Sequence, residues 1–133
     1  MILVVDASAA VEYLLQTVVG HRVGALLDDA DVSAPELVDA EVLAVLRREV
    51  LSRRLELRRA TQAVEDLGAW GAERISHRGL LPEAWRLRGH VSAYDALYVA
   101  AARIRGAALV TADGPLARAP GLGVVVHDIR AGT

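Results

Sequence analysis

The fold is decided by the opening stretch of the sequence, Ile2-Leu3-Val4-Val5-Asp6-Ala7-Ser8-Ala9. The run from Ile2 to Val5 is short, apolar and rich in β-branched residues, which predicts a buried strand. An amphipathic stretch from Ser8 to about Gln16 follows and predicts a helix. A strand that leads directly into a helix is the unit from which parallel α/β sheets are built.

The same alternation continues along the chain. Periodicity and turn residues predict helices over 18–29, 36–54, 56–70, 82–88 and 92–105, and strands over 31–34, 73–77, 107–111 and 123–127. Pro35 is expected at the first position of a helix, where its missing N–H costs nothing. No repeat, linker or low-complexity tract interrupts the pattern. We expect residues 1–133 to form one domain of three layers, α/β/α, around a central parallel sheet.

Composition excludes several classes of protein. The chain has 133 residues, 53% of them hydrophobic, a formal net charge of −2 and no Cys. The missing Cys excludes disulfides, Cys-based zinc sites, thiol catalysis and iron–sulfur ligation. No basic segment precedes the first apolar run, and charged residues interrupt every longer one, so we expect no signal peptide, no membrane partner and a cytoplasmic location. A net charge near zero means that any nucleic acid must be held by a local patch.

Acidic side chains occupy the positions where such folds carry chemistry. Asp6 directly follows the first strand, and Thr111 and Asp113 follow the strand over 107–111. In open parallel sheets, ligands bind beyond the carboxyl ends of the strands. Glu41 interrupts an otherwise apolar line on its helix, and Asp95 lies in the first turn of a very apolar helix.

Each acid also has a purely structural interpretation. Asp6 and Asp113 are typical N-caps for the helices that follow them. Asp95 stands three residues after Ser92, a spacing that resembles a capping box. Glu41 could be a partly exposed charge or the partner of an Arg on the same helix. The structural interpretations require four separate coincidences, whereas one shared site explains all four positions.

Four carboxylates in one cleft repel one another and favour the binding of a cation. Oxygen ligands suit Mg²⁺ or Mn²⁺, and the sequence offers no closely spaced His pair for another metal. Such a metal acidifies bound water and stabilises charge on phosphate oxygens. Phosphodiester hydrolysis is therefore the reaction class that the four acids favour.

Four segments together resemble PIN-domain ribonucleases and, more narrowly, the VapC toxins of bacterial type II toxin–antitoxin pairs. The resemblance covers essentially the whole chain, and the order of the motifs makes it more specific than any one of them. The segments are Val4-Val5-Asp6-Ala7-Ser8-Ala9, Pro35-Glu36-Leu37 with Glu41-Val42, Ser92-Ala93-Tyr94-Asp95-Ala96-Leu97-Tyr98, and Val110-Thr111-Ala112-Asp113.

The resemblance implies a catalytic quartet around Mg²⁺ or Mn²⁺, made of Asp6, Glu41, Asp95 and Asp113. It implies Asp6 and Asp95 foremost, with Asp113, as direct metal ligands. Ser8 and Thr111 match hydroxyl positions that would hold a carboxylate or a water; a helix cap and a strand-end turn are their structural alternatives.

The resemblance also implies a strand order of 3-2-1-4-5 and cleavage of structured RNA, such as tRNA or rRNA, that inhibits translation and growth. It further implies a homodimer and inhibition by a cognate VapB-like antitoxin. The sequence departs from some PIN nucleases at Pro115, where they carry a further acid. The number of metal ions is therefore left open.

Other conspicuous residues allow two interpretations. The Arg cluster could contact RNA phosphates or form a solvated helix face with Glu–Arg pairs, which we favour. Trp70 and Trp85 could stack on bases or fill a dimer contact, although large apolar residues at helical spacing usually belong to the core. The four His show no ligand spacing. The Arg cluster consists of Arg47, Arg48, Arg53, Arg54, Arg58 and Arg59.

Three other functions were compared with the ribonuclease hypothesis. A catalytically silent PIN-like interaction module is the alternative, although loss of acids is what such decay would show. A phosphatase of the haloacid dehalogenase type would need a second Asp two residues after its nucleophile, where this chain has Ser8. A receiver domain would need a paired acid and a Lys, and the chain has no Lys.

Overall fold

The structure, a computed structural model, describes residues 1–131 and consists of a five-stranded parallel sheet flanked by helices. A turn of 3₁₀ helix, His77–Leu80, precedes the fifth α-helix. The strands are β1 (Ile2–Val5), β2 (Asp31–Pro35), β3 (Glu73–Ile75), β4 (Ala108–Thr111) and β5 (Val126–Asp128). The helices are α1 (Ala7–Leu14), α2 (Val18–Leu27), α3 (Leu37–Leu51), α4 (Leu57–Ala69), α5 (Leu81–Arg86), α6 (Ala93–Arg105) and α7 (Gly114–Ala117).

The strand order is β3-β2-β1-β4-β5, and every neighbouring pair is parallel. This confirms the predicted fold class and the order 3-2-1-4-5. The order reverses between β1 and β4, which lie side by side with Val5 opposite Val110. In such sheets the loops that follow the two strands diverge to opposite sides, so a ligand-binding crevice is expected at the carboxyl ends of β1 and β4.

The central strands are buried on both faces, which explains their unbroken apolar sequences. Leu3, Val4 and Val5 of β1 and Leu109 and Val110 of β4 have no exposed surface. Side chains alternate between the two faces of a strand, so burial of consecutive residues requires helices on both sides. The layered arrangement thus fixes β1 and β4, and the residues that follow them, in a rigid core.

Several predicted boundaries were wrong by a few residues. Pro35 is not the first helical residue but the last residue of β2, and the amide of Glu36 donates to the Ile75 carbonyl 3.0 Å away. A proline needs no hydrogen-bond partner for its nitrogen, so it suits a strand end as well as a helix start. The helix predicted over 36–54 ends at Leu51, because a turn with Arg53 at a φ of 63° follows.

The last third of the chain holds the larger differences. The strand predicted over 123–127 is confined to Val126–Asp128, where its pairing with β4 begins. The helix predicted over 82–88 starts at Leu81 and ends at Arg86. The short helix α7 was not predicted as an element, since only four residues form it. Across residues 1–131, no helix is long and apolar enough to cross a membrane.

Candidate functional site

The site begins at Asp6, which lies directly after β1 and is 4% exposed. Its amide donates to the Val110 carbonyl at 3.0 Å, which ties it to the end of β4. Its Oδ1 accepts a hydrogen bond from the Ala9 amide at 3.0 Å and so caps α1. The N-cap interpretation is therefore confirmed, and the cap holds the carboxylate at the carboxyl edge of the sheet.

Two hydroxyl groups hold the same carboxylate. Ser8 Oγ donates to Asp6 Oδ1 at 2.7 Å, and Thr111 Oγ1 donates to Asp6 Oδ2 at 2.5 Å. The two hydroxyls also accept hydrogen bonds from the loop that follows β4: Ser8 from the Ala112 amide and Thr111 from the Asp113 amide, each at 2.9 Å. Ser8 is thus not a helix cap. Both hydroxyls fix Asp6 against the end of β4.

Asp113 and Asp95 each lie at the start of a helix. Asp113 Oδ1 accepts from the Leu116 amide at 3.2 Å and caps α7, whose first turn also accommodates Pro115. In α6 the cap is Ser92, whose Oγ accepts from the Asp95 amide at 3.2 Å. The backbone amide of Asp95 therefore completes the cap, whereas the half-buried Asp95 carboxylate takes no part in the cap.

Glu41 lies on α3 and is held by a residue that the sequence pattern did not single out. The hydroxyl of Tyr98 donates to Glu41 Oε1 at 2.7 Å. Glu41 has no ion pair with Arg47 or Arg48 in the described part of the chain, so that interpretation is wrong. The position of Tyr98 one turn after Asp95 indicates that it faces the same side of α6, but the sequence does not show whether such a Tyr packs in the core or donates to a carboxylate.

The pKa shifts indicate electrostatic interactions among these acidic side chains. Burial raises the pKa of Asp6 from 3.8 to about 6, against the lowering effect of its hydrogen bonds from Thr111, Ala9 and Ser8, and the charge of Asp95 adds to the rise. Burial also raises the pKa of Asp95, and the neighbouring charge of Asp113 raises it further. Burial and the hydrogen bond to Glu41 raise the pKa of Tyr98, so its hydroxyl remains a neutral donor.

None of the four acids forms an ion pair with a basic side chain within residues 1–131, although the Arg130 guanidinium donates to the Ala112 carbonyl, beside Asp113. In the same residues, no three His, Asp or Glu side chains lie close enough together to hold one metal ion. An all-oxygen donor set still fits Mg²⁺, which keeps several waters and takes only one or two carboxylates from a protein. The donor chemistry therefore fits a hard cation with an open coordination shell.

The remaining conspicuous residues lie elsewhere. The six Arg side chains of the Arg cluster are exposed, and Arg54 pairs with Glu49, as a solvated helix face predicts. Trp70 is half-buried, with its ring centroid 6.0 Å from that of Tyr13. Trp85 is 68% exposed under the guanidinium of Arg88, so its assignment to the core was wrong. Burial depends on which face of α5 meets the core, and six residues are too few to show that.

The family comparison agrees with this geometry. The PIN domain family matches residues 3–122. Ribonuclease VapC1 of Mycobacterium tuberculosis is 40% identical over 129 residues, which cover 96% of this chain and 97% of that protein. VapC ribonuclease Mb0985 of Mycobacterium bovis is 37% identical over 111 residues, which cover 84% of this chain and 85% of that protein.

Solved structures show the same fold. The structure of VapBC2 from Rickettsia felis, bound to a DNA fragment from their promoter, matches with a TM-score of 0.67 and 17% identity over 96% of this chain and 98% of that one. PAE2754 from Pyrobaculum aerophilum matches with a TM-score of 0.56 and 22% identity over 95% and 92%. The family match and the identity with these relatives, which agree with the acidic crevice, show that the chain belongs to the PIN-domain family, among the VapC ribonucleases.

Proposed function

We propose that this protein is a metal-dependent endoribonuclease that acts as the toxin of a type II toxin–antitoxin module in the cytoplasm. The observation that carries the proposal is the group of carboxylates at the switch point of the sheet, Asp6, Asp95 and Asp113, with no cation paired to them in residues 1–131. Isolated acids at such an edge cost stability, and a bound cation removes that cost. The ribonuclease names of the relatives support the choice of RNA.

Asp6, Asp95 and Asp113 are the proposed direct ligands of Mg²⁺ or Mn²⁺; one or two of them at a time would hold the ion, with water in the rest of its coordination shell, and Glu41 would complete the catalytic quartet. When bound, the cation supplies an acidified water for attack and neutralises charge on the phosphate. Ser8 and Thr111 keep Asp6 oriented through the hydrogen bonds described above. Glu41 lies on a different element and is half-buried, which suits a carboxylate that accepts a proton from water during attack.

We expect structured RNA, such as tRNA or rRNA, as the substrate, and its cleavage would inhibit translation and growth. The site itself is acidic, so the substrate must be drawn to it by the cation and by basic side chains around the crevice. The exposed Arg cluster, which lies apart from the acids at the far end of α3, is a further basic surface for the RNA backbone. Replacing Arg58 and Arg59 with Gln should weaken RNA binding and reduce its dependence on salt if they contact phosphates.

A VapB-like antitoxin and a second copy of the chain are the proposed protein partners. Two exposed apolar surfaces support them: Leu81 and Trp85 on α5, and Leu51 and Leu57 beside the α3–α4 turn. Contiguous exposed apolar surface typically marks a protein interface. Light scattering of the purified chain tests the homodimer. Co-expression with a small neighbouring reading frame tests whether an antitoxin restores growth.

The deciding experiment compares wild type with Asp95→Asn and Asp31→Asn. The Asp95 side chain does not cap α6, so its amide replacement should fold; Asp31 is exposed at the opposite end of the sheet and serves as the matched control. After induction, RNA 5′ ends are sequenced, and cleavage by purified protein is measured with Mg²⁺, Mn²⁺ or chelator.

We expect discrete new RNA ends with wild type and Asp31→Asn, and none with Asp95→Asn or with chelator. Identical RNA ends and growth in all three cultures, with folded protein in each, would favour the catalytically silent interaction module instead. Cleavage that persists in chelator would contradict the metal dependence alone.

A further inference from the structure

Tyr98 is a buried polar group that the proposed chemistry does not yet use. Its side chain is 1% exposed, and its hydroxyl donates to Glu41 Oε1 at 2.7 Å. It stands one helical turn after Asp95 on α6, whereas Glu41 stands on α3. One hydroxyl therefore connects two of the helices that bring carboxylates to the crevice.

The position of this hydroxyl also relates it to the first strand. Helix α6 packs against β1, and the negative charge of Asp6, directly after β1, raises the pKa of Tyr98. The phenol thus lies between the Asp6 end of β1 and the Glu41 side of α3. No other side chain within residues 1–131 hydrogen-bonds to Glu41, so Tyr98 alone fixes its orientation.

Orientation matters because the carboxylates repel one another when no cation is bound. A half-buried Glu has three rotatable side-chain bonds and would turn toward solvent unless something holds it. A hydrogen bond to a charged acceptor is stronger than one between neutral groups, so it favours one rotamer of the Glu41 side chain. The ring of Tyr98 is locked in the core, so its hydroxyl provides a rigid anchor.

We propose that Tyr98 is a positioning residue that holds the Glu41 carboxylate toward Asp6 and Asp95, so that the acidic crevice is ready for a divalent cation and RNA. The inference rests on the proposed function, because it assigns Glu41 to that site. Groups that orient metal-site carboxylates typically change metal affinity or activity by about 10- to 100-fold when removed.

The test compares Tyr98→Phe with Tyr94→Phe. The first substitution keeps the buried ring and removes only the hydroxyl; the second removes the hydroxyl of a 62% exposed neighbour on the same helix. Mn²⁺ affinity is measured by calorimetry, and cleavage as kcat and KM for RNA. We expect Tyr98→Phe to weaken Mn²⁺ binding or lower kcat by about 10- to 100-fold with little change in KM, and Tyr94→Phe to change neither.

A double-mutant cycle separates positioning from general loss of packing. If Tyr98 acts through Glu41, the variant that combines Tyr98→Phe and Glu41→Gln should bind Mn²⁺ no more weakly than Glu41→Gln alone. Fully additive losses would overturn the proposal, as would wild-type Mn²⁺ affinity and kcat in Tyr98→Phe. If wild type cleaves no RNA, the ribonuclease proposal fails, but the Mn²⁺ cycle still decides the role of Tyr98.

A third measurement keeps Tyr98 in the protein, so its result does not depend on whether Tyr98→Phe folds. The chain has only three Tyr, so incorporation of 3-fluorotyrosine gives three ¹⁹F resonances. The Tyr98 resonance should shift on addition of Mg²⁺, and Glu41→Gln should reduce that shift. A Tyr98 resonance that does not respond to Mg²⁺ in protein that binds the ion would overturn the proposal.

Discussion

Asp6 shows how one residue can serve folding and chemistry together. Its carboxylate caps α1 and accepts hydrogen bonds from Ser8 and Thr111, yet burial still raises its pKa to about 6. The folded protein therefore binds a proton to Asp6 more tightly than the unfolded chain does, whose Asp has a pKa near 3.8. The cap thus stabilises α1, while the buried charge opposes folding at neutral pH.

This raised pKa predicts a pH dependence of stability in metal-free protein. Stability contributed by protonated Asp6 is fully present below about pH 4 and is lost as pH rises through about 6. The free energy of unfolding of wild type, relative to Asp6→Asn, should therefore fall by about 3 kcal/mol between pH 4 and 7.5. Urea denaturation in chelator at a series of pH values measures it. A difference between the two proteins that stays constant with pH would contradict the prediction.

Thr111 allows a second prediction at the same scale. Its fully buried hydroxyl donates to Asp6 and accepts from the Asp113 amide, so Thr111→Val would leave both partners unsatisfied in an unchanged volume. We expect a loss of about 1–3 kcal/mol in the free energy of unfolding. Thr111→Ser keeps the hydroxyl and serves as the control. Equal stability of the Val and Ser variants in urea would show that the hydroxyl does not support the site.

The positions of three acids in the fold could be predicted from sequence, because each has a simple local position; their role in catalysis stays a prediction. Asp6 and Asp113 follow strands, and Asp95 lies in the first turn of a helix, so topology alone brings them to one edge. Tyr98 could not be found in this way, because an apolar helix gives the same pattern whether its Tyr packs in the core or donates to a carboxylate. Only the placement of α3 against α6, a tertiary property, distinguishes the two.

At the scale of elements, the sequence predicted secondary structure well where a hydrophobic pattern extends over many residues. It predicted poorly where contacts between elements determine the bounds of a short element. The helices α3, α4 and α6 were located within a few residues of their true ends. The bounds of β5 and the existence of α7 depend on contacts with β4 that no local pattern contains. Pro35 satisfies two local rules at once, and the hydrogen bond between Glu36 and Ile75 decides between them.

The close crossing of α1 and α2 predicts that alanine substitutions at two glycines change the stability of the protein in opposite directions. A Cβ on Gly20 would lie 1.9 Å from the carbonyl oxygen of Glu12, whereas a Cβ on Gly68 in α4 would meet nothing within 4 Å. Gly20→Ala must push α2 away from α1, which Asp6 caps, and should cost about 1–3 kcal/mol. Gly68→Ala should instead stabilise the protein by about 0.5–1 kcal/mol. Thermal unfolding compares the two, and a stable Gly20→Ala variant would contradict the close crossing.

At the scale of the whole molecule, the crevice is built by four separate elements. β1, β4, α3 and α6 each bring one part of the acidic group, and none of the described carboxylates forms an ion pair there. The chain therefore has strongly acidic chemistry at one edge of its sheet despite a net charge of only −2. Local electrostatics, not total charge, determine what binds at that edge.

The crevice supplies few ligands to a metal ion, so the coordination shell of a bound ion stays partly open. We therefore predict that metal and RNA bind cooperatively. No three His, Asp or Glu side chains within residues 1–131 lie close enough together to hold one ion, so water would occupy the rest of the coordination shell and phosphate oxygens of RNA could replace that water. We expect a non-cleavable RNA analogue to tighten Mn²⁺ binding by about 10-fold or more, a coupling of about 1.4 kcal/mol. Because linkage is reciprocal, Mn²⁺ must tighten binding of the analogue by the same factor.

Calorimetric titrations in both orders measure the two factors, with Asp95→Asn as the control in which the coupling should disappear. Equal Mn²⁺ affinity with and without the analogue would contradict the cooperativity and would mean that protein and water complete the metal site without phosphate ligands.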